Sequence, residues 1–149
     1  MTIPHPNACP FYLISRVMLQ VTSAIKKGLA DAGVTTVRPA YLGVLLCLWE
    51  ADGIKTVDLA RCSRLEPSTM TGLIDRMTRD GLVCREPDPN DRRAYRICLT
   101  GAGKAVETPV RQVTETVLAK VFVGIGEDDL AGTMRVLQQV LVNVAEASQ

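Results

Sequence analysis

The fold is decided by the stretch PSTMTGLIDRM at residues 67–77 and by the one that follows it, GLVCREPDPNDRRAYRICLT at residues 81–100. In the first stretch apolar residues recur at helical spacing. Its leading proline suits the first turn of a helix, because a backbone N–H at that position has no hydrogen-bond partner within the helix. In the second stretch the apolar period falls to two on either side of PDPND, residues 87–91, a run typical of turns. We therefore expect a helix followed by a β-hairpin.

A shorter helix precedes this one. Thr56 is a suitable N-cap for a helix that carries Leu59 and Ala60, and only a tight turn separates the end of that helix from Pro67. Two short helices joined in this way form a helix-turn-helix, and the hairpin that follows adds a wing. The predicted fold class is mostly α with a small β-hairpin wing. We assign residues 38–100 to a winged helix-turn-helix lobe.

Long apolar stripes lie on the helices predicted on either side of this lobe. Residues at alternating spacings of three and four fall on one face of the first helix (Ile14, Met18, Val21, Ile25, Leu29) and of the last (Leu130, Met134, Leu137, Leu141, Val144). A small lobe cannot cover stripes of this length. Residues 1–149 are thus expected to be a single chain that forms a homodimer through terminal dimerisation helices at residues 10–33 and 101–147.

The composition indicates one globular domain. The chain has 149 residues, of which 47% are hydrophobic and 22% charged, with a formal net charge of +1. Residues 55–104 contain ten basic and seven acidic residues, so the middle third is the part suited to a polyanion. The longest apolar run, Val44–Trp49, is far too short to span a bilayer, and no basic segment followed by an apolar one opens the chain. We expect a cytoplasmic protein that is not exported and has no membrane partner.

The face of the second short helix that points away from its apolar residues favours binding to double-stranded DNA. Hydroxyl and guanidinium groups on such a face reach base edges and phosphates when the helix lies in the major groove. A merely solvated helix face is the plainer alternative. The residues assigned to this contact are Ser68, Thr69, Thr71 and Arg76.

The predicted wing places four charged side chains within six positions: Asp91, Arg92, Arg93 and Arg96. A guanidinium group inserted into a narrow minor groove is attracted by the negative potential there. Asp91 is expected to orient one of these arginines through a charge-assisted hydrogen bond. The wing is therefore the second predicted DNA contact.

These motifs resemble the MarR (multiple-antibiotic-resistance regulator) family of homodimeric winged-helix repressors. The resemblance covers about residues 10–146 and is carried by PSTMT (67–71), LIDRM (73–77), GLV (81–83), DPNDRR (88–93) and the strand end at 99–100. It implies a DNA-binding transcriptional regulator, a repressor that a small-molecule effector releases from a pseudo-palindromic operator. It also implies that Ser68, Thr69 and Thr71 meet the major groove, that Arg93 enters the minor groove, and that Asp91 holds the wing in place.

The resemblance further implies an effector of small amphipathic or phenolic type, bound between the dimer helices and the winged lobe. The residues predicted to line that site are Tyr12, Arg16, Tyr41 and Trp49. For Tyr41 and Trp49 a place in the hydrophobic core is the simpler interpretation.

Five scattered cysteines and one histidine form no recognisable zinc site or disulfide framework. We expect reduced thiols, with Cys47 and Cys62 as small core residues. The alternative that Cys84 faces Cys98 across the wing is not favoured. Cys9 leaves one alternative open, a peroxide-sensing repressor of the same fold that uses a thiol near the first helix.

Enzymes are the competing class, and the sequence does not favour them. It lacks HExxH and GxSxG motifs, and GAGK at residues 101–104 has neither the first glycine nor the Ser/Thr of a phosphate-binding loop. We expect no cofactor, no metal and no catalysis. A protein-interaction module that kept the fold without binding DNA remains the other alternative.

Overall fold

The computed structural model describes residues 5–147, so the first four and the last two positions of the chain lie outside the described part. Its helices are α1 (Pro10–Asp31), α2 (Leu42–Glu50), α3 (Thr56–Ser63), α4 (Pro67–Arg79), α5 (Gly101–Ala105), α6 (Glu107–Val121) and α7 (Glu127–Ala147), and its strands are β1 (Ile54–Lys55), β2 (Val83–Asp88) and β3 (Asp91–Leu99). Short 3-10 turns occupy Pro6–Ala8 and Pro39–Tyr41. The predicted fold class, mostly α with a small wing, is confirmed. The chain divides into two compact units between Val117 and Leu118.

The core of the first unit is built around α2, whose apolar residues leave it almost no polar face. Leu45 and Leu48 are buried there together with the inward face of α4, which carries Met70, Ile74 and Met77 at helical spacing. The same core takes in side chains from helices that we assigned to dimerisation, namely Ile25 and Leu29 of α1 and Val110 of α6.

The wing is a three-stranded antiparallel sheet with strand order β1-β3-β2. The hairpin of β2 and β3 was predicted, whereas β1 was not, because two residues are too few to show a period. Ile54 pairs with Ile97 across this extra edge. Just before β1, the Asp52 carboxylate accepts a hydrogen bond from the backbone N–H of Leu99 (2.8 Å), which fixes the end of β3.

The chain after the wing contains a contact that only glycine allows. The Thr100 side chain caps α5 as predicted, accepting a hydrogen bond from the Gly103 N–H (3.0 Å). A Cβ atom at Gly103 would collide with the carbonyl group of Leu82. The glycine therefore serves close backbone packing rather than phosphate binding. The single helix predicted from Thr100 onward is instead α5 and α6, separated at Val106.

The second unit consists of the end of α6 and the whole of α7. Every residue of α7 is exposed or half-buried in the single chain. Several of them are large and apolar: Met134, Val136, Leu137, Val140, Leu141 and Val142.

The expectation of five reduced thiols is wrong for one pair. Cys47 on α2 and Cys62 on α3 are joined by a disulfide, with their Cα atoms 6.3 Å apart. Cys47 is buried, but Cys62 is exposed and is not a core residue. The sequence carries no sign of this pair, because only the packing of α2 on α3 brings the two sulfur atoms together. Cys84 and Cys98 lie opposite each other across the hairpin, an arrangement that the sequence did not favour, and both remain thiols.

Candidate nucleic-acid interface

The outward face of α4 presents all four side chains that the sequence assigns to the major groove. Ser68, Thr69, Thr71 and Arg76 are exposed, while the opposite face of α4 is buried. The Thr71 hydroxyl donates to the Pro67 carbonyl (3.1 Å), which leaves its oxygen lone pairs as acceptors. The structure thus gathers these groups on one exposed surface, the α4 face.

Both ends of α4 are fixed by specific contacts. Before the helix, Arg64 adopts a left-handed conformation (φ 53°) and Leu65 donates to the Ala60 carbonyl, which makes the turn from α3 tight. After it, the Tyr41 hydroxyl donates to the Asp80 carboxylate at 2.6 Å. Burial raises the pKa of Tyr41, and the hydrogen bond to Asp80 adds to the effect. Tyr41 is wholly buried and therefore belongs to the core.

A buried carboxylate organises the interior of the wing. Asp88 is only 3% exposed, and its Oδ2 atom accepts from Arg96 Nε at 2.7 Å and lies 3.8 Å from Lys55 Nζ. Its Oδ1 atom accepts from the Asn90 N–H (2.8 Å) and closes the turn. The pKa of Asp88 is lowered, mainly because Arg96 donates to its charged form, which outweighs the opposing effect of burial. Arg96, predicted as a DNA contact, is thus paired within the wing.

The tip of the wing has a different arrangement from the expected one. Asp91 accepts a hydrogen bond from the backbone N–H of Arg93 (3.0 Å) and orients no guanidinium group. Arg92 and Arg93 are both exposed. Among residues 5–147, no carboxylate forms an ion pair with either side chain. The wing tip, defined here as Asp91–Arg93, therefore presents two unneutralised guanidinium groups.

The α4 face and the wing are joined by an ion pair that sequence reasoning missed. Arg85 Nη2 on β2 lies 2.7 Å from Asp75 Oδ1 on α4. Asp88 was missed as well and counted only as a turn residue. Its position two residues before Asn90 indicates a side-chain turn, but nothing in the sequence shows that its second oxygen binds an arginine eight residues later.

A small cavity lies next to α2 in the first unit. Its volume is about 100 Å³, and its lining is mainly apolar: Leu42, Leu46, Trp49, Val110, Arg111, Thr114 and Glu115. Trp49 Nε1 donates to the Gly103 carbonyl (3.0 Å), and the Arg111 guanidinium lies 5.3 Å from the centre of the Trp49 ring. Of the four predicted effector residues only Trp49 lines this cavity. Tyr12 and Arg16 lie exposed on α1.

Cys9 lies at the N-cap of α1, where it is half-buried and makes no capping hydrogen bond through its side chain. Within the described residues, no group of histidine, cysteine and carboxylate side chains is placed to hold a metal ion. The same residues include no helix long and apolar enough to cross a membrane.

Comparison with known proteins supports one family. The sequence model of the MarR family matches residues 39–95, from the turn before α2 into β3. BadR, a transcriptional activatory protein of Rhodopseudomonas palustris, is 34% identical over 113 residues, which cover 75% of this chain and 65% of BadR. The chain is similar to the MarR family, and these matches support a MarR family regulator. It spans slightly less than two thirds of the length of BadR.

Other transcriptional regulators match over nearly the whole chain. IacR, a transcriptional repressor of Pseudomonas putida, is 27% identical over 91% of this chain and 79% of its own length. CouR from Rhodococcus jostii RHA1, solved with bound p-coumaroyl-CoA, superposes with a TM-score of 0.75 at 28% identity and covers 92% of this chain and 94% of that structure. These relatives are named as transcriptional regulators, which supports the prediction that the chain is not an enzyme.

Proposed function

We propose that this protein is a cytoplasmic, homodimeric repressor that binds a pseudo-palindromic operator and is released from it by a small-molecule effector. The observation that carries the proposal is the pairing of two exposed surfaces, the α4 face with its hydroxyl groups and the wing tip with Arg92 and Arg93 unneutralised. Hydroxyl groups suit base edges and phosphates in the major groove, and a guanidinium group suits the minor groove.

The homodimer is supported by surfaces that the single chain leaves exposed. On α7, Val136 is 63% and Leu141 57% exposed, and at the start of α1, Phe11 is 79% exposed. Apolar surface of this extent usually marks an interaction site. Two copies related by a two-fold axis place two α4 faces on successive turns of one side of the duplex, about 34 Å apart.

The effector proposal rests on the cavity beside α2. Apolar walls and the Trp49 ring suit an aromatic group, and the Arg111 guanidinium, whose Nε donates to Glu107 Oε1 (2.9 Å), lies beside that ring. A volume of about 100 Å³ fits one aromatic ring. The solved complex of CouR with p-coumaroyl-CoA shows a relative that binds an aromatic acid derivative. A phenolic or aromatic acid is therefore the proposed class of effector.

The proposal is tested by operator binding of the Arg93→Ala variant. A duplex selected from a random-sequence library by the wild-type protein serves as operator. We expect a loss of affinity of about 10- to 100-fold, because each dimer loses two minor-groove contacts. Lys27→Ala is the matched control, since it removes a cation from an exposed ion pair on α1. Equal binding by the two variants contradicts the assignment of the wing.

Salt dependence provides the second measurement. Since several phosphates are neutralised per dimer, the logarithm of the association constant should fall linearly and steeply with the logarithm of salt concentration. A flat response, or failure to select any duplex, indicates a protein-interaction module instead.

A further inference from the structure

We propose that Cys47 and Cys62 form a reversible oxidation site, and that closing their disulfide with a hydroperoxide tightens operator binding. The part that concerns the operator rests on the function proposed above. Disulfides are rare among cytosolic proteins and, where present, are mostly transient or redox-sensing. A pair of cysteines held at bonding distance in a cytoplasmic regulator is therefore expected to cycle between thiols and disulfide.

The geometry assigns different tasks to the two sulfur atoms. The Cα atoms are 6.3 Å apart, within the range that disulfides require. Cys62 is exposed at the end of α3 and is open to a dissolved oxidant, while Cys47 is 8% exposed on α2. Cys62 is thus the residue oxidised first, and the Cys47 thiolate then attacks the oxidised sulfur to form the disulfide.

The remaining thiols are less suited to this chemistry. Partial burial raises the pKa of Cys98 to about 11, with the Glu86 carboxylate adding to the shift, so little reactive thiolate exists there at neutral pH. Cys84 donates its S–H to the Cys98 carbonyl (3.7 Å). Cys9 is half-buried and is not bonded to a second cysteine.

The reaction proceeds in two balanced steps. The Cys62 thiolate attacks the outer oxygen of the hydroperoxide, the O–O bond breaks, and after uptake of one proton the products are a sulfenic acid and an alcohol. The Cys47 thiolate then attacks the Cys62 sulfur, which forms the S–S bond and releases hydroxide, protonated to water. Two electrons pass from the sulfur atoms to the peroxide, and a cellular dithiol returns them on reduction.

The bond acts on the element that leads into the α4 face. Cys62 lies two residues before Arg64, whose left-handed conformation begins the turn into α4. A disulfide here removes freedom from the end of α3 and hence from the first turn of α4, where Ser68 and Thr69 lie. Restricting a binding surface in its folded geometry lowers the cost of ordering it on binding.

The experiment compares fully reduced full-length protein with protein treated with cumene hydroperoxide. We expect loss of two hydrogen atoms by mass, a Cys47–Cys62 linked peptide, a rise in Tm of about 5–10 °C, and operator binding about threefold tighter or more. In Cys47→Ser the sulfenic acid should persist and be trapped by dimedone at Cys62. Cys9→Ser should behave as wild type.

Three results overturn the proposal: first oxidation at Cys9, Cys84 or Cys98, a disulfide that leaves operator affinity unchanged, or release of the operator on oxidation. A failure of the proposed function gives a different pattern. In that case neither redox state binds any selected duplex, and peptide mapping still decides whether Cys47 and Cys62 are the oxidation site.

Discussion

The unit that ends at Val117 and the one that begins at Leu118 bury their apolar residues to very different degrees. The first has a continuous core in which Leu45, Met70 and Ile74 are fully enclosed. The second has α7, a helix of 21 residues without one buried side chain. Helices in water draw most of their stability from packing of an apolar face. The first unit therefore supplies its own stability, whereas α7 needs a surface that the second unit does not provide by itself.

Charged residues placed on the apolar stripe of α7 test whether a second copy of the chain covers this helix. In a double variant, Leu137→Asp with Leu141→Asp, we expect the dissociation constant of the homodimer to rise at least about 100-fold, because two carboxylates cannot be buried without partners. Sedimentation velocity over a concentration series measures the effect. Gln138→Asp, which adds a charge at another exposed position of α7, should leave the oligomeric state unchanged. Persistence of the dimer in the double variant contradicts the assignment of this surface.

The core of the first unit gives the converse test. Ile74→Ala should lower the free energy of unfolding by about 2–5 kcal/mol, since a fully buried side chain leaves a cavity in a packed interior. Urea denaturation measures this loss, and sedimentation should show an unchanged oligomer. Thr78→Ala, on the exposed face of the same helix, is the control and is expected to cost far less. Equal losses in both variants show that α4 is not packed as described.

The contribution of Asp88 to the stability of the first unit is small and depends on pH. Because the folded pKa of Asp88 lies below its ordinary value of 3.8, the carboxylate stabilises the fold above that value and loses this contribution as pH falls through the folded value. Asp88→Asn should therefore unfold at lower urea concentration than wild type at pH 6, with the difference shrinking toward pH 3. Asp58→Asn, in an exposed ion pair with Arg61, should show almost no such dependence. A difference that is constant with pH excludes this role for Asp88.

Local patterns in the sequence predicted the parts of the structure that local forces determine. The spacing of Met70, Ile74 and Met77 gave α4, and the hydroxyl of Thr100 gave the start of α5. What the sequence did not reveal are contacts between residues distant along the chain. The pairing of β1 with β3 joins Ile54 to a strand some forty residues later.

Side-chain partners within the candidate interface were predicted least well. Asp91 and Arg96 were correctly located in the wing, but their partners differ from the expected ones. Arg96 donates a hydrogen bond to Asp88, and Asp91 accepts one from a backbone N–H. Several carboxylates and cations lie within reach of one another in a hairpin. Strand register and burial determine which of these groups form pairs, and neither can be read from the amino-acid composition.

The short connection between α4 and the wing has a consequence for allostery. Only Asp80–Leu82 separate the two elements, Leu82 is wholly buried, and Arg85 contacts Asp75 across the junction. Such a junction leaves little room for hinge motion inside a lobe. The winged lobe of a single chain should accordingly have almost the same structure in crystals grown with and without an effector. The effector should instead change the distance between the two lobes of the proposed homodimer.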